Sequence, residues 1–357
     1  MIKQRIKKIR DLINHHDLDG YLVPKNDEYF SEYAFPNRIK TISNFSGSAG
    51  FAIILKKINY LFVDGRYTTQ AKIESGDSYK ILEIPQIFPH NLFNNNIKNI
   101  KIGFDPKLFC RDTLKRYFKD TCDLRPIQRN LVDLIYVEKT NIKGRYFYSL
   151  NEQITGEKIY SKINKLFKIL NKKKIDNIFI SAPENVAWLL NLRGKDNPNS
   201  PMPNCRLILS KEKKIYLFSE EEKYKKIKNS KEYRKIVFKN NNDFFSVLNG
   251  IKGNTFCIDK LTCSIFFESI IKSKFKILSE TDPCYDLKSI KNPTEIRNMK
   301  KAHIEDGVAL TKFLYWIKNR KLNGLDELHV EKKLERFRKK NKNYLYPSFD
   351  TIAGSGP

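Results

Sequence analysis

Arg66 is the residue of this 357-residue sequence whose type and setting first suggest chemistry. It follows residues 62–65, Phe-Val-Asp-Gly, in which a short apolar run ends at an Asp-Gly corner. Glycine permits a sharp turn there. A guanidinium projected from the end of a rigid strand can bind a carboxylate or a backbone carbonyl. From the residues alone, a solvated end of a hairpin is an equally good interpretation of Arg66.

Histidines are the other residues to test, because a metal-activated water at neutral pH needs imidazole or carboxylate ligands close together. The sequence has five, at His15, His16, His90, His303 and His329. His303 lies in a helical pattern without an acidic partner at ligand spacing, so a structural role is the more common outcome, and His329 is similar. We therefore expect no metal site within this sequence.

The elements that position Arg66 form a predicted β-hairpin. Residues 44–50, Asn-Phe-Ser-Gly-Ser-Ala-Gly, are a loop of small residues. The apolar runs 51–55 and 60–63 that follow are too short for helices and are separated by a turn. Before them the pattern predicts a helix over 2–16, a strand over 20–24 and a helix over 27–34. After them come further alternating helices and strands to residue 135, which indicates an α/β unit.

The same order of elements is predicted a second time, about 155 residues later. Residues 159–170 have a helical apolar face, 175–180 read as a strand, and 183–190 begin another helix. A polar loop at 194–204 then leads to a second hairpin. Residues 137–152 are polar and without period, so they suit a linker. This internal repeat predicts two related domains.

A third unit opens at Asn292, where Pro293 and Glu295 complete a helix-start pattern. Helical spacing continues to about residue 317, and a second amphipathic helix is predicted over 325–340 after Gly324. Residues 344–349 are predicted to start a strand.

The formal net charge of +27 admits two explanations. Nucleic-acid or acidic-membrane binding is one. The other is a composition rich in Lys, Asn, Ile and Phe, and it is favoured because the lysines are scattered and no nucleic-acid motif is present. No apolar run is long enough to span a bilayer, and no secretory segment is recognised. The six cysteines form no Cys-x-x-Cys pair, which favours reduced thiols in a cytoplasmic protein: Cys110, Cys122, Cys205, Cys257, Cys263 and Cys284.

Several segments, taken together and in order, resemble a known family. They are Glu32-Tyr33, Gly47-Ser48-Ala49-Gly50, Asp64-Gly65-Arg66-Tyr67, Asn130-Leu131-Val132-Asp133, Trp188 to Gly194, Ala302 to Asp306 and Ser348 to Pro357. This series is similar to the N-terminal portion of Xaa-Pro aminopeptidases (aminopeptidase P) in their three-domain form, within the creatinase or pita-bread metallopeptidase superfamily.

The resemblance implies an α/β fold with two tandem creatinase-type N-terminal domains, at residues 1–136 and 153–287. Residues 290–357 would be the first helices of a peptidase domain, truncated before its metal ligands. In that family two divalent ions, usually manganese, are held by two aspartates, a histidine and two glutamates. None of those ligand motifs occurs in this sequence, so the resemblance places them beyond Pro357.

The implied activity is release of the N-terminal residue from peptides with proline second. We expect this chain alone to be inactive, as a split or truncated product; a non-catalytic binding or self-association module is the alternative. The resemblance gives Arg66 the role of holding the substrate peptide, and it places Asn191, Arg193 and Asp196 at the mouth of the site. For these three, a helix end followed by a polar loop explains the residues as well. The resemblance also allows a homodimer, and it implies neither specific nucleic-acid binding nor membrane binding.

Overall fold

The computed structural model describes residues 2–93, 100–136, 145–320 and 324–355. Residues 137–144 of the predicted linker lie outside the described residues. Residues 145–152 carry a short strand and the start of a short helix. Within the described ranges, no helix is both long and apolar enough to cross a membrane.

The first half of the chain folds around a six-stranded sheet. Its strands are β1 (Gly20–Pro24), β2 (Phe51–Leu55), β3 (Asn59–Asp64), β4 (Lys80–Ile84), β5 (Lys101–Phe104) and β6 (Asp123–Pro126). They lie in the order β4-β3-β2-β1-β5-β6, and β2 is antiparallel to both neighbours while the other pairs are parallel. Its helices are α1 (Ile2–His15), α2 (Arg38–Ser43), α3 (Thr68–Ser75), α4 (Pro89–Phe93), α5 (Arg111–Phe118) and α6 (Leu131–Ile135).

Apolar side chains on both faces of this sheet explain why it is covered by helices. Ile9 and Ile13 of α1 are fully buried, in one cluster with Ile54 of β2. On the other face, Phe51 stacks on Phe62 at 4.5 Å between ring centroids. Burial of such side chains contributes roughly 1.5–3 kcal/mol each relative to exposure.

The second half repeats this sheet strand for strand. Its elements are β7 (Tyr148–Ser149), α7 (Glu152–Thr155), α8 (Ile159–Lys172), β8 (Asn177–Ile180), α9 (Pro183–Leu189), β9 (Leu192–Arg193), β10 (Arg206–Leu209), β11 (Ile215–Phe218), α10 (Glu221–Tyr224), β12 (Ile236–Lys239), α11 (Phe244–Gly250), β13 (Thr255–Ile258), α12 (Ile265–Lys272), β14 (Lys276–Ser279) and α13 (Cys284–Ser289). The order β12-β11-β10-β8-β13-β14 has the same pattern of parallel and antiparallel pairs. Corresponding strands begin about 155 residues apart along the chain.

The two sheets meet through the loops at the carboxyl ends of their central strands. Ile265 N–H donates to the carbonyl of Phe109 at 2.9 Å, and Phe266 N–H to that of Pro106 at 3.0 Å. Arg206 adds a donor bond from Nη2 to the carbonyl of Glu28 at 2.6 Å. The loop after β5 therefore lies against the corresponding loop after β13.

Two long helices follow the second sheet, α14 (Pro293–Lys318) and α15 (Glu327–Arg338). The predicted helix start is confirmed in detail: the Asn292 side chain accepts from Thr294 and Glu295 N–H, and the Glu295 carboxylate accepts from Asn292 N–H at 2.8 Å. Residues 344–349 form no strand, contrary to the sequence prediction. The backbone there is irregular, with bends at 346, 348 and 349.

A second departure from prediction lies at residues 27–34, which are turns and not a helix. The Asp27 carboxylate accepts N–H bonds from Tyr29 at 2.8 Å and Ser31 at 3.0 Å. Because aspartate offers the backbone such alternative partners, the helical bonds are not formed.

Candidate functional site

Arg66 lies at the corner that the sequence predicts, in a 3-10 turn over Gly65–Tyr67 directly after β3. The Asp64 carboxylate caps this turn by accepting from Arg66 N–H at 3.0 Å. The same carboxylate accepts from Arg66 Nε at 3.1 Å and from Nη2 at 2.7 Å. The Arg66 side chain is 71% exposed, and its guanidinium lowers the pKa of Asp64 below its ordinary value.

Tyr67 anchors this corner to the small-residue loop that the sequence singles out. Its hydroxyl lies 2.8 Å from the Ser48 hydroxyl, and its ring packs edge-on to Phe45 at 5.8 Å. Gly50 has a φ of +151°, and a Cβ there would lie 2.6 Å from the Phe62 carbonyl. Only glycine allows the loop to approach β3 this closely.

A contact that sequence reasoning missed fixes the loop on its other side. Glu74 of α3 accepts from Ser46 N–H at 2.7 Å and from its hydroxyl at 2.6 Å. Gln70 donates to the same Ser46 hydroxyl. These hydrogen bonds lower the pKa of Glu74 against the opposing effect of its burial. No sequence motif predicts the contact between Ser46 and Glu74. The one available signal is that Gln70 and Glu74 lie four residues apart, on the same face of the helix.

Asn191 is placed inside the second domain, with 4% exposure and a φ of +51°. Its side-chain oxygen accepts from Lys162 Nζ at 2.7 Å, and its amide donates to the Glu157 carbonyl at 2.9 Å. Both partners belong to the segment around α8. The described contacts of Asn191 therefore tie the end of α9 to α8.

Arg193 is half-buried in the two-residue strand β9, which pairs with β7. Its Nη1 donates to the carbonyls of Leu192 at 2.8 Å and Ala187 at 3.2 Å. Burial lowers the pKa of Arg193, and the Glu295 and Tyr346 side chains of the C-terminal unit act in the opposite direction. Arg193 is thus within electrostatic range of that unit.

Asp196 is held by an ion pair inside the second domain. Its carboxylate lies 2.8 Å from Lys223 Nζ, with side-chain exposures of 0% and 5%. It also accepts from Asn204 N–H at 2.8 Å. The predicted set is therefore not one cluster. Arg66 lies at the carboxyl end of β3 in the first domain, and the other three lie in the second domain with internal partners.

Three segments converge near the carboxyl ends of β1 and β3. Ser31 of the 25–37 loop donates to the Asn197 side chain at 3.0 Å. Asn199, two residues further, donates to Asp350 Oδ1 at 3.0 Å. Glu32 of the same first-domain loop is within electrostatic range of Arg66. Loops of both domains and the C-terminal segment thus meet here; sequence reasoning missed Ser31, Asn197 and Asn199.

A dinuclear metal centre of the kind implied by the resemblance does not fit the described residues. In those ranges no group of three or more His, Cys, Asp and Glu side chains is close enough to hold a metal ion. His303 is exposed on α14. His329 Nδ1 lies 2.7 Å from the Asp326 carboxylate, which caps α15.

Both six-stranded units match a known protein family. Residues 5–133 and residues 139–295 each match a Creatinase/Prolidase N-terminal domain family. The two matches follow the two six-stranded units.

Curated relatives match almost the whole chain. A probable Xaa-Pro aminopeptidase P of Paracoccidioides brasiliensis is 31% identical over 99% of this chain and 62% of its own length. Xaa-Pro aminopeptidase 1 of Dictyostelium discoideum is 31% identical over 99% of this chain and 60% of its own length. The chain thus spans about three fifths of the length of these relatives.

A solved structure agrees with these sequence matches. The X-prolyl aminopeptidase of Caenorhabditis elegans, described as a cytosolic enzyme with a di-nuclear active site, superposes with a TM-score of 0.88 at 25% identity. The match covers 99% of this chain and 62% of that one.

Proposed function

Because this chain is a homologue of the Xaa-Pro aminopeptidases P and carries two creatinase/prolidase N-terminal domains, we propose that it forms the N-terminal part of a metal-dependent Xaa-Pro aminopeptidase. The activity is release of the N-terminal residue from peptides whose second residue is proline. The observation that carries the proposal is the match to such relatives over 99% of the chain.

The proposed domain boundaries are 1–136, 153–287 and 290–357, with the last range as the start of the peptidase domain. The faces of α14 support this assignment. In this 26-residue helix the buried residue is Ala309, whereas Ile296, Met299 and Leu314 are 44%, 55% and 47% exposed. A helix with so much exposed apolar surface is typical of one that is covered by further structure.

We propose that the residues that carry out hydrolysis lie outside residues 1–357. The ligands for two divalent ions, manganese in the first instance, come from further polypeptide, either continuous with this chain or separate. Residues 1–357 alone are then inactive. We propose that the protein acts in the cytoplasm as a homodimer. We propose neither nucleic acid nor a membrane as its partner.

Within the first two domains, the proposed substrate contact is Arg66, the most exposed of the four predicted residues. Arg193, whose pKa is affected by Glu295 and Tyr346 of the C-terminal unit, is the second proposed contact. Asn191 and Asp196 act on the substrate site indirectly, since their described partners are internal. Asn191 ties the end of α9, just before Arg193, to α8, and Asp196 holds the loop that follows Arg193.

The experiment is to purify the native protein from its source through a tag placed after Met1, and to measure its intact mass and bound metal. A mass well above 42.0 kDa, or a second polypeptide that copurifies, together with bound divalent metal, supports the proposal. A single 42.0 kDa chain without metal overturns it and supports the non-catalytic module.

A further inference from the structure

A basic cleft lies at the amino ends of β3 and β4, where it is lined by α1 and by the turn between β2 and β3. Its volume is about 600 Å³, within the range of about 300–1,000 Å³ that is usual for small-molecule sites. Arg66 follows the carboxyl end of β3. The length of that strand therefore separates the cleft from the candidate substrate site.

The lining of this cleft is positively charged. Lys3 and Arg10 come from α1, Lys57 from the turn and Lys80 from the first position of β4, while Asp77 is the carboxylate among the described lining residues. Together these side chains carry a formal charge of +3. Within the described part of the chain, none of the four cations has a carboxylate at ion-pair distance. Like charges gathered in a cleft create a potential that concentrates anions there.

Arg10 is held in place by neutral acceptors. Its Nε donates to the Leu55 carbonyl at 3.0 Å, and its Nη2 donates to Asn59 Oδ1 at 3.0 Å. Asn59 is 7% exposed and donates in turn to the Ser78 carbonyl at 2.8 Å. Because no described carboxylate neutralises this guanidinium, Nη1 and the second N–H of Nη2 remain as an end-on fork for an anion. The fork is fixed before any ligand binds, which lowers the ordering cost of binding.

The charge of the lining matches a compound with linked phosphates. Each phosphate group carries about −1.5 to −2 at neutral pH, so two of them balance a charge near +3. Tyr79 is the aromatic residue among the described lining residues, but it is 6% exposed and its hydroxyl donates to the Ile42 carbonyl at 2.9 Å. Its ring is therefore not available to stack on a nucleobase, as the aromatic side chains of single-strand binding proteins do.

We propose that this cleft binds small compounds with two or more linked phosphates and does not select a nucleobase. Arg10 supplies the directed fork, and Lys3, Lys57 and Lys80 supply the surrounding positive charge. Inorganic pyrophosphate and the polyphosphate end of a nucleotide share this chemistry. The inference does not depend on the proposed function, because the cleft lies at the opposite ends of the strands from the candidate substrate site.

The test is calorimetric titration of the untagged native protein with pyrophosphate, ATP and GTP at about 150 mM salt. ATP and GTP should bind with dissociation constants that agree within about twofold. Pyrophosphate binding as tightly as ATP identifies the free anion as sufficient, whereas ATP and GTP binding more than about tenfold tighter identify a nucleotide. Absence of binding, equal binding of citrate, or tighter binding of a ten-nucleotide RNA than of ATP overturns the inference.

Substitutions locate the binding to the cleft. Lys57→Gln combined with Lys80→Gln should weaken pyrophosphate binding about tenfold and leave the fold intact, since both side chains are exposed. Arg10→Lys keeps the charge but loses the fork, and it should weaken binding about fivefold. The matched control is Lys8→Gln, because Lys8 is exposed on α1 about 160° around the helix from Arg10. Binding that the double variant retains takes place elsewhere and overturns the inference, as does an equal loss in Lys8→Gln.

Discussion

Lys223 and Asp196 form an ion pair that is closed to solvent, with Nζ 2.8 Å from Oδ1. Glu220 completes the set at 2.6 Å from the same Nζ. Burial alone disfavours the ammonium, but the two carboxylates outweigh it and raise the pKa of Lys223. The loop that carries Asp196 is therefore fixed from within the second domain.

Asp196→Asn should destabilise the protein by about 3 kcal/mol, because it leaves a buried ammonium with only one carboxylate. The measurement is the urea dependence of unfolding. The matched control is Glu222→Gln, which breaks the exposed Lys225–Glu222 pair and should cost below about 1 kcal/mol. Equal effects of the two substitutions would contradict a structural role for Asp196.

Gly156→Ala should loosen the start of α14. Gly156 has a φ of +73°, and an added Cβ would lie 2.7 Å from Thr294 Cβ and would also meet the Asn292 side chain. Asn292 would lose its 2.8 Å bond to the Thr155 carbonyl. We expect faster amide hydrogen exchange in the first turn of α14.

The control for this substitution is Gly324→Ala. Gly324 has a similar φ of +77°, but none of the residues that the structure describes lies within 4 Å of an added Cβ. It should cost only the backbone strain of about 1–2 kcal/mol and leave exchange at the start of α14 unchanged. If both variants behave alike, contact with Asn292 is not what positions the helix.

Lys162 should make stability depend on pH in the alkaline range. Its Nζ donates to the Trp188 carbonyl at 2.8 Å and to Asn191, and burial lowers its pKa from 10.5 to about 8. Between these values the unfolded chain binds a proton that the folded chain does not, so this group makes the free energy of unfolding rise with pH. Below about pH 8 both states are protonated and the contribution is absent.

The measurement is the free energy of unfolding between about pH 8 and pH 10 for the wild type and Lys162→Met. The variant should lack the part of the rise that Lys162 causes. Lys165→Met is the control, since Lys165 lies one turn away and is 53% exposed. A slope that Lys162→Met leaves intact would show that Lys162 titrates as an ordinary lysine.

Arg206→Met should weaken the contact between the two sheets. The Arg206 guanidinium lies 4.1 Å from the Tyr29 ring centroid and 4.5 Å from that of Phe267, in addition to its bond to Glu28. Such desolvated cation–π contacts are worth about 2 kcal/mol. We expect unfolding to separate into two transitions in calorimetry. Arg111→Met removes an exposed ion pair across the same boundary and should keep one transition.

Local patterns account for what the sequence predicts correctly. The hairpin, the Asp-Gly-Arg-Tyr corner and the Asn292 cap each depend on residues within a few positions of one another. The strand order repeats because the same local patterns recur. Asp196 shows what local patterns do not predict. A polar loop is usually exposed, but Asp196 is buried against Lys223 of α10. Only the packed fold brings these two residues together.

The turns at residues 27–34 show a second limit. Their residues are compatible with a helix, and the outcome depends on the Asp27 carboxylate taking the N–H groups of Tyr29 and Ser31. The sequence predicts the place of Arg66 at the end of β3. It does not predict the hydrogen bonds from Arg66 Nε and Nη2 to the Asp64 carboxylate, because these depend on side-chain geometry.

The most direct test of the account is the rate at which the native protein releases the N-terminal residue from an Xaa-Pro-Xaa peptide, with Xaa-Ala-Xaa as the control. We expect release from the proline peptide that requires Mn²⁺ or another divalent ion, stops with a chelator, and is absent for residues 1–357 alone. Failure of the native protein to release that residue in the presence of metal, or equal cleavage of both peptides, would contradict it.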